Sequence, residues 1–269
     1  MAITSRQNPI VSRFREAANG DGTSVLLDGA HLVADAIAAN AAIALAAVTT
    51  VSRAKPEIAA IADSLARRGV EVTTVGVSVM NAISPVRSPA GIVAIADRPA
   101  RALADVFARG VPLVAIAIDV QDPGNVGAIV RAAEAAGASG VVAAGASADP
   151  FGWKALRGSM GSALRLPVAG SADAEAAIDE ARRRGCRIVA TVPRGGTPVF
   201  ETDLSGPVVI LVGGEGPGLP AAIAAAAGVR VTIPMQPPVE SLNAAVTAAV
   251  ILYEAHRQRQ YSLFKRVRY

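Results

Sequence analysis

Residues 113–131, LVAIAIDVQDPGNVGAIVR, decide the fold class. The first six are a continuous apolar run, the pattern of a parallel strand buried on both faces. The next six, 119–124, form a loop with a turn at Asp122-Pro123-Gly124, and an Ala-rich helix then runs through Ala136. The same strand–loop–helix alternation recurs downstream. Residues 140–144, 187–192, 208–212 and 229–232 read as strands; 172–184, 220–227 and 242–259 read as helices. The pattern predicts an α/β domain, a parallel sheet with helices on both faces that binds ligands at the C-terminal ends of its strands.

Upstream, a smaller α/β unit is expected. Pro9 opens a helix over 9–18, and helices follow over 31–39 and 56–68, the last started by Pro56-Glu57 and stopped by Arg67-Arg68-Gly69. Strands are expected over 24–27, 47–51, 71–75 and 92–96. Pro99, Pro112 and scattered charges mark a linker with one short helical turn. The expected domains are therefore 1–97, a linker 98–112, and 113–269.

Hydrophobic residues make up 52% of the 269, but aromatics only 3%, so the core must come from many small side chains. The net charge of +4 is unevenly placed. Arg257, Arg259, Lys265, Arg266 and Arg268 lie in an acid-free C-terminal stretch, and Arg6, Arg13 and Arg15 precede the first acid, Glu16. Basic ends on a near-neutral body suit an anionic polymer as partner, or simply a solvated tail. A single cysteine, Cys186, excludes internal disulfides and a Cys-based zinc site, and reads as a buried structural thiol. The two histidines, His31 and His256, are far apart and suggest no metal-ligand set. No stretch reads as a signal peptide or membrane span, so a cytoplasmic protein is expected.

Three loops after expected strands carry the polar chemistry. In the first, Asn125 can cap a helix and Arg131 lies nearly two turns on, an arrangement suited to an anion. The second, GGEGPGL (213–219), surrounds one carboxylate, Glu215, with four glycines and a proline. That is costly unless backbone must approach a ligand or turn tightly. Its spacing fails the G-x-G-x-x-G dinucleotide fingerprint, and no P-loop occurs. The third, IPMQPPVESLN (233–243), is a Pro-rich turn running into a long helix, whose unpaired N–H groups could line a pocket.

Together DPGNVGAIVRAAEAAGASGV, LVGGEGPGL and IPMQPPVESLNAAVTAAVILYE resemble the three ordered motifs of the SpoU/TrmH family of RNA ribose 2′-O-methyltransferases, within the SPOUT superfamily. RGSMGSALRLPV (157–168) continues the match. The N-terminal unit, through ITSRQNPIVSRFREA and LLDGAHLV, is similar to the family's substrate-binding domain, a ribosomal-protein-like RNA-binding fold.

The resemblance implies a deep trefoil knot at the C-terminal end and a homodimer. It implies S-adenosylmethionine held by Gly214, Leu219, Ile233, Met235, Ser241 and Leu242. The motif residues correspond to Asn125, Arg131, Glu215, Ser241 and Asn243, with Arg131 beside the cofactor of the other subunit. Arg131 is the family's proposed base. A guanidinium is almost never deprotonated in a protein, so the alternative is that it clamps a phosphate and stabilises alkoxide charge. Arg6, Arg13, Arg15, Arg157 and Arg165 are the candidate RNA contacts, with rRNA favoured over tRNA. Other readings are a catalytically silent RNA-binding protein and a methyltransferase acting on a base nitrogen. Pro237 and Ala245 depart from the family's usual glycine and serine.

Overall fold

Asn8 and Pro9 begin the first helix, α1 (Pro9–Asn19), in the computed structural model, which describes residues 2–20, 22–216 and 218–266, with side chains as far as Gln260. The Asn8 side chain accepts the Ile10 N–H at 3.0 Å, and Gly20 closes the helix in the left-handed region. Ile10, Val11, Phe14 and Ala17 form its buried stripe. There follow β1 (Ser24–Asp28), α2 (Ala30–Ala38), β2 (Ile43–Thr49), α3 (Thr50–Arg53), α4 (Pro56–Arg67), β3 (Glu71–Val75), α5 (Val77–Ile83) and β4 (Ile92–Asp97). The sheet order is β1-β4-β2-β3, with β4 antiparallel to both neighbours and β2–β3 parallel. The strand expected over 47–51 stops at Thr49. Its hydroxyl accepts the Ser52 N–H at 3.1 Å and starts α3, which leaves Val51 exposed.

The second half of the chain forms β5 (Leu113–Ile118), α6 (Pro123–Ala135), β6 (Gly140–Ala144), α7 (Trp153–Ser159), α8 (Ser162–Arg165), β7 (Val168–Ala172), α9 (Ala174–Arg183), β8 (Arg187–Thr191), β9 (Thr197–Pro198), β10 (Val208–Gly213), α10 (Ala221–Ala226), β11 (Val229–Thr232) and α11 (Ala244–Arg266). The sheet is parallel, in the order β7-β6-β5-β10-β8-β11-β9. Every residue of β5 and β6 is buried, as their unbroken apolar runs require. The order reverses between β5 and β10, which makes the C-terminal ends of β10, β8 and β11 the place for a ligand. Cys186 is buried, and burial pushes its thiol above the usual range.

The chain divides into two units, residues 1–100 with 151–165, and residues 101–150 with 166–269. This differs from the expected 1–97, 98–112 and 113–269 in two ways. From Arg101 on, the expected linker is part of the second unit: Leu103–Phe107 is a 3-10 turn whose Val106 and Phe107 are buried in that core. Gly140 permits this, since a Cβ there would sit 2.6 Å from Val106 Cγ1 and 2.7 Å from the Pro167 carbonyl oxygen. The segment 151–165, although it connects β6 to β7, folds with the first unit. At Gly161 (φ +77°) an added Cβ would lie 2.6 Å from the Asp35 Cβ, and Arg165 pairs with Asp35 at 3.3 Å.

The basic C-terminal stretch is partly accounted for by packing. Arg257 pairs with the buried Glu254 at 2.7 Å, and that pairing holds the Glu254 carboxyl below its usual range. Arg259 donates to the carbonyls of Val111 (2.9 Å), Pro112 (2.8 Å) and Gly206 (2.6 Å). The side chains of Lys265 and Arg266, and all of Arg268, lie outside the described residues. Among the described residues no helix is long and apolar enough to cross a membrane. Arg259→Met strands those carbonyls at the base of the sheet and should lower the unfolding free energy by about 2 kcal/mol in a urea titration. Arg13→Met, at an exposed position without a partner among the described residues, should change it by less than about 0.5 kcal/mol.

Candidate active site

The three polar loops meet because glycine removes side chains where backbones cross. A Cβ on Gly214 would lie 2.0 Å from the Asp119 carbonyl oxygen, and one on Gly213 would lie 2.3 Å from the Leu219 nitrogen. The loop after β10 therefore folds back on itself through a Gly214–Gly218 bridge and lies against the end of β5. Asp119 (φ 58°) turns the chain there and accepts the Ala146 N–H at 2.8 Å, in the space left by Gly145.

Side chains then join the loops. Asp122 caps α6 by accepting the Asn125 N–H at 2.8 Å, so Asn125 is not the cap expected from its sequence. Its amide is free to reach across: Asn125 Nδ2 donates to the Glu215 carboxylate, and Asn125 Oδ1 accepts from Asn243 Nδ2 at 3.0 Å. Asn243 Oδ1 accepts the N–H groups of Ala245 (2.9 Å) and Val246 (3.2 Å), which caps α11. One hydrogen-bonded chain thus links the first, second and third loops to a helix start.

Beside it lies a cavity of about 360 Å³ at the C-terminal ends of β8, β10 and β11. All six residues expected to hold the cofactor line it: Gly214, Leu219, Ile233, Met235, Ser241 and Leu242. So do Glu215 and Asn243, while Asn125 stands behind them and Arg131 is not in the lining. Arg131 is exposed on α6, with no hydrogen-bond or ion-pair partner among the described residues. Residues 191–193, the end of β8 and the start of the loop after it, also line the cavity, which the sequence does not signal. Lacking glycine and charge, they could have been found only as one more loop after a strand. Thr232 holds this loop by donating to the Val192 carbonyl at 3.0 Å.

The cavity suits a ligand with a flat apolar part and polar ends. Leu219, Ile233, Met235 and Leu242 supply apolar surface, and the Gly-rich backbone supplies hydrogen-bonding groups. The loop over 233–243 includes the cis Pro237–Pro238 bond, at the position where the sequence departs from the family pattern.

The five arginines proposed as RNA contacts all fall in the first unit, including Arg157 and Arg165, which were expected in the catalytic domain. Arg6 donates to Ser78, and Arg15 to the Ala82 carbonyl at 3.1 Å. Arg165 is paired with Asp35. Arg13 is exposed without a partner among the described residues; Arg157 is exposed, without a side-chain hydrogen bond or ion pair among them, and acts electrostatically on Asp28.

Comparison with known proteins shows the family. The profile of the SpoU rRNA Methylase family matches residues 112–253. An uncharacterized tRNA/rRNA methyltransferase of Synechocystis sp. is 33% identical over 262 residues, 96% of this chain and 94% of its own. A 23S rRNA uridine 2′-O-methyltransferase of Streptomyces viridochromogenes is 40% identical over 141 residues, 51% of this chain and 49% of its own. Among solved structures, an AdoMet-bound rRNA methyltransferase from Sinorhizobium meliloti superposes with a TM-score of 0.84 at 32% identity, covering 96% of this chain and 97% of that one. The SpoU methyltransferase AviRb from Streptomyces viridochromogenes, in complex with AdoMet, gives 0.82 at 27% identity, covering 94% and 99%. The chain belongs to the SpoU rRNA methylase family.

Proposed function

We propose that the protein transfers a methyl group from S-adenosylmethionine to a ribose 2′-oxygen of ribosomal RNA. It acts in the cytoplasm as a homodimer whose C-terminal segment is threaded as a trefoil knot. The observation that carries the reading is the chain Glu215–Asn125–Asn243 beside a cavity lined by all six expected cofactor residues. Ribosomal RNA is favoured because the Streptomyces viridochromogenes relative and a Bacillus subtilis relative, 35% identical over 130 residues, are both named 23S rRNA 2′-O-methyltransferases.

Bound S-adenosylmethionine supplies a methyl group activated by a positively charged sulfur. The chain's own residues must hold the ribose hydroxyl in line with that methyl, exclude water and accommodate a proton from a weakly acidic alcohol. In this reading Ile233, Met235, Leu219 and Leu242 cover the apolar part of the cofactor. Gly214 and Ser241 hold its polar ends. Asn125 and Asn243 fix the ribose side of the cavity, with Glu215 holding Asn125 in place.

Arg131 serves the partner's site, in keeping with its exposure, its lack of a partner and its place outside this cavity. Its guanidinium stays charged. It clamps the target phosphate and stabilises charge developing on the 2′-oxygen, while the proton leaves to phosphate or water.

Incubation with methyl-labelled S-adenosylmethionine and total RNA lacking the modification tests the function. The label should map to a ribose 2′-oxygen in large-subunit rRNA; label on a base or on tRNA, or none despite tight cofactor binding, contradicts it. Arg131→Ala should lower turnover by about 10²-fold or more at unchanged cofactor affinity. Arg131→Lys, which keeps the charge, should retain measurable turnover; its complete loss would show that the planar fork is required. Asn243→Ala should cost about 1 kcal/mol of stability through the lost cap. It should also reduce turnover beyond that, and wild-type turnover with unchanged cofactor affinity by calorimetry would remove Asn243 from the site.

A further inference from the structure

The first unit holds a second cavity, of about 470 Å³, that the methyl-transfer reading leaves unused. Its lining joins the end of β1 and the start of α2 (residues 28–32) to Lys55 and Ile58 of the α4 region. The loop 86–90 and residues 156–160 of the segment from between β6 and β7 complete it. Asp28 is the chemically distinctive member. It is 8% exposed, and among the described residues the Ser84 hydroxyl, at 2.5 Å, is its one hydrogen-bond donor. The other carboxylate oxygen has no donor among the described residues, and Asp28 lines the cavity. Burial raises the carboxyl above its usual range, partly offset by Ser84 and by the nearby Arg157.

The rest of the lining is apolar inside, where Leu32, Ile58 and Leu156 are buried, and of mixed charge outside, where Glu57 lies among the cations and Asp35 is paired with Arg165. Leu32, Ile58, Val86 and Leu156 offer surface to a flat ring. His31, Lys55 and Arg157 also line it, and none has an ion-pair partner among the described residues. Gly29 precedes α2 at φ 101°, and among the described residues no side chain caps the helix start.

A buried carboxylate in a slot between apolar side chains, with His31, Lys55 and Arg157 beside Glu57 at the mouth, matches an unstacked nucleotide. The carboxylate can only accept, so it selects the base edge. Guanine presents two adjacent N–H donors. Adenine and cytosine present one amine beside an acceptor. Uracil places one N–H between two carbonyls, which a carboxylate repels.

We propose that this cavity binds an unpaired guanine nucleotide, with Asp28 accepting from the base edge and Lys55, His31 and Arg157 meeting the phosphate. That the nucleotide belongs to the RNA substrate rests on the function proposed above; the binding itself does not. The segment 151–165 gives this a consequence. The chain leaves the catalytic sheet after β6, supplies Leu156 and Arg157 to the nucleotide cavity, and returns at β7.

The test is calorimetry of the full-length protein with GMP, AMP, CMP, UMP and inorganic phosphate, with S-adenosylmethionine affinity measured alongside as a check on folding. GMP should bind more tightly than UMP and than phosphate alone. Asp28→Asn, which keeps the shape and the Ser84 contact, should weaken GMP by about tenfold, the worth of one charge-assisted hydrogen bond. It should leave the cofactor affinity unchanged. The proposal is overturned if GMP binds no better than UMP or phosphate, or if Asp28→Asn leaves the guanine preference intact. Absence of methyl transfer with the guanine preference present would remove the proposed function and leave this site standing.

Discussion

Gly214 sits where no side chain can be, with the Asp119 carbonyl oxygen 2.0 Å from the position a Cβ would take. Close packing of two backbones at the ends of β5 and β10 is the constraint from which the site follows. Because the second loop is pressed against the first, Glu215 comes within reach of Asn125, ninety residues earlier in the chain. Asn125 is available because Asp122 has already capped α6. The far side of the same amide takes Asn243, which in turn starts α11. Thus the helix that closes the sheet, the loop beside the cavity and the polar chain along its rim are fixed by one short run of hydrogen bonds. The exposed ends of that chain contribute little stability on their own; their value is in orientation.

The parallel sheet gives this arrangement its location. Strand order reverses between β5 and β10; the loop after β10 lies against the end of β5 there, and the cavity opens on its other side, at the ends of β10, β8 and β11. At the opposite end of the strands, Arg259 on α11 collects the carbonyls of Val111, Pro112 and Gly206. One end of the sheet is therefore sealed by a guanidinium and the other left open for a ligand. An arginine expected to contribute to a solvated basic tail is instead structural.

Much of this was legible in the sequence, and the reasons are specific. Strands β5, β6 and β11 match their expected limits because each is a compact apolar run bounded by glycine, proline or polar residues. The six residues expected to hold the cofactor, all of which line the cavity, were legible through motifs whose glycines and prolines mark close backbone approaches. What failed was whatever depended on a partner distant in sequence. Val106 and Phe107 look like linker residues until the second core is seen to receive them. The segment 151–165 carries no local sign that it folds with the first unit; Gly161 against Asp35 is a tertiary fit. The short α5, α7 and α8 show too few turns to establish a period, and β7 buries only two of its five residues. Asn125 was read as a cap because both Asp122 and Asn125 can cap, and only the structure selects between them.

The central claim is that the cavity at the ends of β8, β10 and β11 is where S-adenosylmethionine binds. A crystal structure of the protein with S-adenosylhomocysteine tests it most directly. The account predicts density among Gly214, Leu219, Ile233, Met235 and Leu242, with the homocysteine sulfur on the side of Asn125 and Asn243. Density at any other place in the chain, or a cavity closed by those same side chains under saturating ligand, would contradict it.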